Sequence, residues 1–260
     1  MNGLRIVVVG GFLAYQGLFQ WFSRRLILPT LVLRPMMQLA VFTVIGAYLG
    51  SQPADFYAVG NAVQTTARAS VYAATIVIAA ERMNGTLITV LAAPAHPLLV
   101  FGGRLLPPVL TGVASAALMM TVAMATTGVR LSWSATPSLL LLILLVSASC
   151  GAFGLVLGAI GLYLRDVFFL PNVAVYAMML LCGVNLTPAE TSGVLALLGE
   201  ALPLTHGLRA IRDVIAGRPV TTAAWTTELL LVFAYGAAAC VFLAYFARQA
   251  RSKATLDLSS

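Results

Sequence analysis

The stretch ERMNGTLITVLAAPAHP, Glu81 to Pro97, decides how this chain folds. It is a charged, Gly- and Pro-marked segment between two long apolar runs. Hydrocarbon offers no partner to open backbone or unpaired charge, so if the flanking runs cross a bilayer this segment must lie outside it. It is then an exposed elbow between two spans and a place where another protein can take hold.

Composition supports the bilayer reading. Of 260 residues 60% are hydrophobic and only 9% charged, with a mean hydropathy of +0.97, too little polar surface to coat a soluble globule of this size. The formal charge of +7 rests on fourteen arginines and one lysine and reads as orientation and headgroup contact. No basic run interleaved with aromatics points to nucleic acid, and none is expected as a partner.

Catalytic chemistry finds little support. Cys150, Cys182 and Cys240 lie in apolar runs without a CxxC pair or a nearby His, which argues against a disulfide framework or a zinc site. His96 and His206 are far apart, and HExxH and GxSxG spacings are absent. The only lysine, Lys253, precedes Ala254, so no GxxxxGK[ST] loop exists to hold a nucleotide. We expect no catalytic residue, no metal and no cofactor on this chain; nucleotide energy, if used, comes from another one.

Outward from the elbow, the apolar runs predict an all-α membrane protein with six transmembrane helices at about 26–50, 56–80, 98–127, 137–164, 167–184 and 222–247, each near the ~20 residues a helix needs to cross. Arg34-Pro35 falls near the first end of the first run, where Arg can snorkel. Pro107-Pro108 is expected to bend the third span. Gly151, Gly154, Gly158 and Gly161 in the fourth let a neighbouring helix approach closely. Residues 1–25 carry Gln16, Gln20 and Arg24 as a polar stripe and Trp21 beside it, which suits an N-terminal interfacial amphipathic helix; a signal peptide or an extra span are the alternatives.

Between Asn185 and Thr221 two segments, Pro188–Leu202 and Thr205–Ala216, are too short and broken to span and read as outer re-entrant helices. In the second, Thr205 can cap, Leu208, Ile211 and Ile215 form an apolar face, and Arg209, Arg212 and Asp213 a polar one. The positive-inside rule puts both termini, and the elbow with them, in the cytoplasm, against Arg130, Arg209, Arg212 and Arg218 outside. Those outer arginines read as headgroup anchors or as contacts for an anionic substrate. Residues 1–260 form a single domain with no linker or convincing repeat.

Within the second run Asn61, Gln64, Thr65, Arg68, Tyr72 and Thr75 recur at helical spacing. A lone Arg at mid-span costs about 2.5–3.5 kcal/mol on insertion scales, so Arg68 must face a cavity or a partner. Two readings stand. Asn61, Gln64, Arg68 and Tyr72 line a translocation path between two copies, or the stripe packs helices together with Arg68 paired to a carboxylate such as Glu228.

Two local matches carry a family resemblance. Glu81-Arg82-Met83-Asn84-Gly85-Thr86-Leu87 resembles the ER-x-x-GTL stretch after the second span of ABC type-2 exporter permeases, and Leu202-Pro203-Leu204-Thr205-His206-Gly207-Leu208-Arg209-Ala210-Ile211-Arg212 resembles their LPLTHxLxxxR stretch before the last. Six spans, an interfacial N-terminal helix and broken helices before the last span extend the likeness over nearly the whole chain. The resemblance implies that residues 81–97 are a coupling segment docking on a separate ATP-binding cassette subunit, with Glu81, Arg82, Gly85, Thr86, Leu87 and Leu91 as its carriers. The residues permit such a helix: Asn84 or Thr86 can cap it and Pro94 ends it. Pro203, His206, Arg209 and Arg212 form the family's outer motif.

The resemblance further implies a multi-pass protein of the cytoplasmic membrane, working as two permeases, homodimer or heterodimer, with two ATPase subunits that carry ATP and Mg. The cargo would be an amphipathic drug or antibiotic, lipid, glycolipid or polysaccharide moved outward. An ion-coupled carrier or passive channel is the alternative, disfavoured because acidic mid-span residues or an inverted repeat would be expected. An intramembrane enzyme lacks a carboxylate dyad or a Ser/His pair.

Overall fold

The computed structural model describes residues 10–12, 24–49, 52–86, 97–129, 131–164, 166–187 and 193–253, and all regular structure among them is helical. The helices are α1 (Arg24–Leu49), α2 (Ala54–Met83), α3 (Pro97–Thr127), α4 (Thr136–Leu164), α5 (Phe169–Leu181), α6 (Gly193–Ala201), α7 (Thr205–Ile215) and α8 (Thr222–Lys253), with a 3-10 turn at Trp133–Ala135 before α4. They follow the apolar runs. Most of the 1–25 segment, with Gln16, Gln20 and Trp21, lies outside the described residues.

Length and composition alone mark Gly102–Thr127, Trp133–Gly161 and Thr222–Tyr245 as able to cross a membrane, and a fourth span if α6 and α7, bent by 84° to each other, count as one. Two other expected spans fall short for physical reasons. α5 has only 13 residues, about 20 Å of helix. It starts late because the Asp166 carboxylate accepts the N–H groups of Phe168 and Phe169, and it stops before Gly183, whose φ of 78° is left-handed. α2 is long enough at 30 residues but too polar, and its polar groups are sheltered: Asn61, Gln64, Thr65, Thr66, Ser70 and Thr75 are all buried.

α2 is the axis of the fold. It packs against α3 and α4 along most of its length, while α1, α5 and α7 close its remaining sides. The expected glycine ridge of α4 makes this possible: a Cβ on Gly154 would lie 2.6 Å from the Val71 carbonyl oxygen, and one on Gly158 3.3 Å from the Thr75 Cα. Thr75 Oγ1 donates to the Gly154 carbonyl at 3.0 Å across that contact. On α3, helix continues unbroken through Pro107 and Pro108, where Ser70 Oγ and Ser147 Oγ, 2.8 Å apart, reach the Pro108 and Val109 carbonyls at 3.3 and 2.7 Å.

Two apolar clusters form the core. The larger is built on Ala62, Val63, Met119, Leu142, Met178, Leu204, Leu208 and Ile211, so the short helices α6 and α7 are anchored to the bundle by α7. The smaller, with Ile78, Leu155 and Leu243, joins the far ends of α2, α4 and α8. Outside these, α1, α5 and α8 expose large apolar residues such as Met37, Val173 and Phe233.

Candidate functional site

The elbow begins as a helix terminus. Gly85 adopts φ 67°, its N–H donates to the Arg82 carbonyl at 3.1 Å, and the Thr86 N–H donates to the Glu81 carbonyl at 3.0 Å. This pair of bonds is the Schellman closure, in which only the residue at the Gly85 position must be left-handed. A Cβ there would meet nothing within 4 Å, so conformation rather than space demands glycine.

Side chains reinforce the turn. Glu81 Oε1 pairs with Arg104 Nη2 at 2.9 Å, and the Thr86 hydroxyl donates to the other carboxylate oxygen. Arg104 is only 6% exposed, so this pair ties the end of α2 to the start of α3 in a partly dry setting. The two ends of the elbow are thereby held together. Arg82 and Met83 are exposed. The expected capping of a following helix by Asn84 or Thr86 takes another form: Asn84 closes α2, and Thr86 turns back to Glu81. Leu87, Leu91 and Pro94 lie outside the described residues.

On α2 the polar stripe is brought against α1 and α5. Asn61 Nδ2 donates to the Tyr57 carbonyl at 3.0 Å and to Asn185 Oδ1 at 2.8 Å, and Gln38 Nε2 donates to Asn61 Oδ1 at 3.2 Å. Gln64 Nε2 donates to the Val175 carbonyl at 3.0 Å, and the Tyr72 hydroxyl to Asn172 Oδ1. Asn61 and Gln64 are each 1% exposed within this single chain, whereas Arg68 and Tyr72 lie half-buried at the rim. The alternative pairing of Arg68 with Glu228 is not formed. Glu228 is buried beside α4, where Ser149 Oγ donates to its carboxylate at 3.1 Å, and it lies under Gly207 of α7.

The outer motif assembles the sharp α6–α7 bend. The Thr205 hydroxyl donates backwards to the Gly199 carbonyl instead of capping α7, whose N-cap position is Leu204. Ser149 Oγ lies 3.1 Å from the Pro203 carbonyl oxygen, and His206 Nε2 lies 3.0 Å from the Glu200 carbonyl oxygen. Gly207 lets α7 sink onto α4 and α8, since a Cβ there would stand 2.0 Å from Val146 Cγ2.

The arginines of this region have protein partners. Arg209 pairs with Glu200 and Arg218 with Asp213. Arg212 departs most from the expected headgroup or substrate contact: its guanidinium donates to the carbonyls of Gly183 at 2.8 Å, Phe56 at 3.1 Å and Val184 at 3.3 Å, and stacks 3.7 Å over the Phe56 ring. It staples α7 to the break after α5 and the start of α2. Sequence reasoning misses its companion Gly60, where a Cβ would come within 2.4 Å of the Val184 carbonyl oxygen. A small residue on an otherwise polar helix face is the only signal.

Among the described residues no group of three His, Cys, Asp or Glu side chains could hold a metal ion. The described site is a clamped elbow at one end of the central helix and a stapled bend at the other. No curated protein matches the chain at a significant level. The family model described as "ABC-2 type transporter" matches residues 12–216, which takes in the elbow, the polar stripe and the outer motif, and the chain belongs to that family of multi-pass membrane components.

Proposed function

We propose that this chain is the permease subunit of an ATP-driven exporter that moves an amphipathic compound, a drug, lipid or glycolipid, out across the cytoplasmic membrane. α1, α2, α3, α4, α5 and α8 are its six spans, α6 and α7 the outer re-entrant pair, and both termini face the cytoplasm. Two such permeases, identical or related, enclose the path, and each rests on an ATP-binding subunit that carries ATP and Mg. Glu81, Arg82, Gly85 and Thr86 set the exit angle of the coupling segment, and Leu87 and Leu91 supply its docking face.

The observation that supports this best is the Glu81–Arg104 pair across the base of the elbow. A short segment held at both ends transmits a push to two spans at once, as rigid-body tilting requires. The test is co-expression with an ATP-binding cassette subunit. Leu87→Asp with Leu91→Asp abolishes co-purification and ATP-dependent uptake into inverted vesicles, while wild type does both. Uptake without any ATP-binding subunit would instead establish a carrier or channel.

A further inference from the structure

Glu228 of α8 is a fully buried acid whose two oxygens meet different surroundings. Oε2 lies 3.1 Å from Ser149 Oγ of α4, while Oε1 is buried without a hydrogen-bond partner. Oε1 faces the first turn of α7, 2.9 Å from where a Cβ on Gly207 would stand. Among the described residues no arginine or histidine pairs with it.

The Ser149 hydroxyl has more acceptors around it than it can serve. It lies 3.1 Å from the Val146 carbonyl oxygen, 3.1 Å from that of Pro203 and 3.1 Å from Glu228 Oε2, and it has one proton to give. Val146 can do without it, because its carbonyl sits inside α4 and accepts the N–H four residues on. The Pro203 carbonyl cannot: Pro203 is buried in the α6–α7 bend, and no backbone N–H of the described residues reaches its oxygen. An ionised Glu228 would bring a charge and further lone pairs to a place already one proton short. A neutral Glu228 supplies the missing proton, its O–H donating to Ser149 Oγ and Ser149 donating onward to Pro203.

We propose that Glu228 holds a proton and that this proton latches the α6–α7 bend to α4 and α8 through Ser149 and Pro203. Loss of the proton to water reverses the relay. The carboxylate then takes the Ser149 proton, the Pro203 carbonyl is left open, and Oε1 is drawn to the first-turn amides of α7. The start of α7 loosens, while the Tyr235 hydroxyl, which donates to the Ala201 carbonyl, keeps the end of α6 on α8.

The other titratable groups around Glu228 have partners of their own or are buried thiols. α4 brings Cys150 and the end of α5 Cys182, both buried and within electrostatic reach. On α7, His206 and Arg209 turn to Glu200 of α6, Arg212 to backbone carbonyls and Asp213 to Arg218. α3 brings Arg104, which holds Glu81 at the elbow.

The latch rests on the permease reading only for the side of the membrane on which the bend lies, and the chain alone suffices for its test. The full chain in phosphatidylcholine nanodiscs is followed by infrared pH-difference spectroscopy and by hydrogen exchange of residues 199–208 read by mass spectrometry. At about pH 6, where exposed carboxylates are ionised, wild type shows the carbonyl-stretch band of a protonated carboxylic acid, Glu228→Gln lacks it, and Ser149→Ala shifts its frequency. From about pH 6 to about pH 9 wild type loses that band and, after correction for the intrinsic exchange rate, at least about tenfold of the protection in the bend. Glu228→Gln, whose amide donates to Ser149 as the neutral acid does, keeps its protection over the same range.

Should Glu228→Gln fail to fold, the frequency shift in Ser149→Ala still assigns the band. A wild type without the band at the lower pH, a band that persists in Glu228→Gln, or a loss of protection equal in both proteins overturns the proposal. Failure to co-purify with an ATP-binding subunit would sink the permease reading and leave the latch standing.

Discussion

At the scale of single residues, charge and backbone conformation decide the elbow. Gly85 sits at φ 67°, where an L side chain costs about 1–2 kcal/mol. Gly85→Ala is expected to lower thermal stability in detergent by that amount, and Gly85→Asn by less, because Asn tolerates the left-handed region. Glu81 and Arg104 make a stronger case, since removing one partner strands a charge that is mostly out of water. Fully buried pairs lose 3–5 kcal/mol in that way; with Glu81 one-fifth exposed we expect about 1–3 kcal/mol for Arg104→Gln or Glu81→Gln. The swap Glu81→Arg with Arg104→Glu is expected to recover part of the loss, measured as the melting temperature of the purified chain. If the double variant is no better than the singles, the two side chains do not act as a pair.

At the scale of elements, the fold depends on glycines that let helices touch. Gly154 lies against the Val71 backbone, whereas a Cβ on Gly236 of α8 would meet nothing within 4 Å. Gly154→Leu is therefore expected to push α2 from α4 at a cost of about 1–3 kcal/mol or more, seen as a lower melting temperature or aggregation on size exclusion, while Gly236→Leu is neutral. This contrast also marks what sequence could reveal. Apolar run length and the Gly and Pro breaks made the order of helices legible, and the three- and four-residue spacing of Asn61, Gln64, Arg68 and Tyr72 revealed a polar face on α2. Periodicity names a face and not its neighbour, so Asn185, Val175 and Asn172 stayed hidden as its partners, and Glu228 seemed available to Arg68 although it lies with Ser149. Thr205 and Thr86 misled for a related reason: a hydroxyl in a first or last turn serves equally well by reaching backwards, as both do here. Arg212 resembled a headgroup anchor because carbonyls left open by a helix break are invisible in a sequence.

At the scale of the whole molecule, the proposed orientation rests on how the arginines are distributed between the two ends. On the proposed outer side, Arg209 and Arg218 are paired with carboxylates and Arg212 is surrounded by carbonyls, so the outward surface carries less net positive charge than a count of arginines implies. Tyr48 and Trp133, each 92% exposed near helix ends on that side, suit the aromatic belt of a membrane interface. The elbow at the other end of α2 carries Arg82, with Arg104 anchored behind it. Single cysteines at Asn84, Trp133 and Gly217, all exposed positions, test this directly in a chain whose native Cys150 and Cys182 are buried and whose Cys240 is replaced by Ala. In intact cells a membrane-impermeant maleimide is expected to label the Trp133 and Gly217 variants within minutes and to reach the Asn84 variant only after the membrane is opened. A bound ATP-binding subunit should then slow labelling at Asn84 and leave the other two unchanged, because a motor docked on the cytoplasmic elbow shields that site alone. Labelling of Asn84 from outside would place the elbow beyond any ATPase and remove the mechanical basis of export, however well the helices pack.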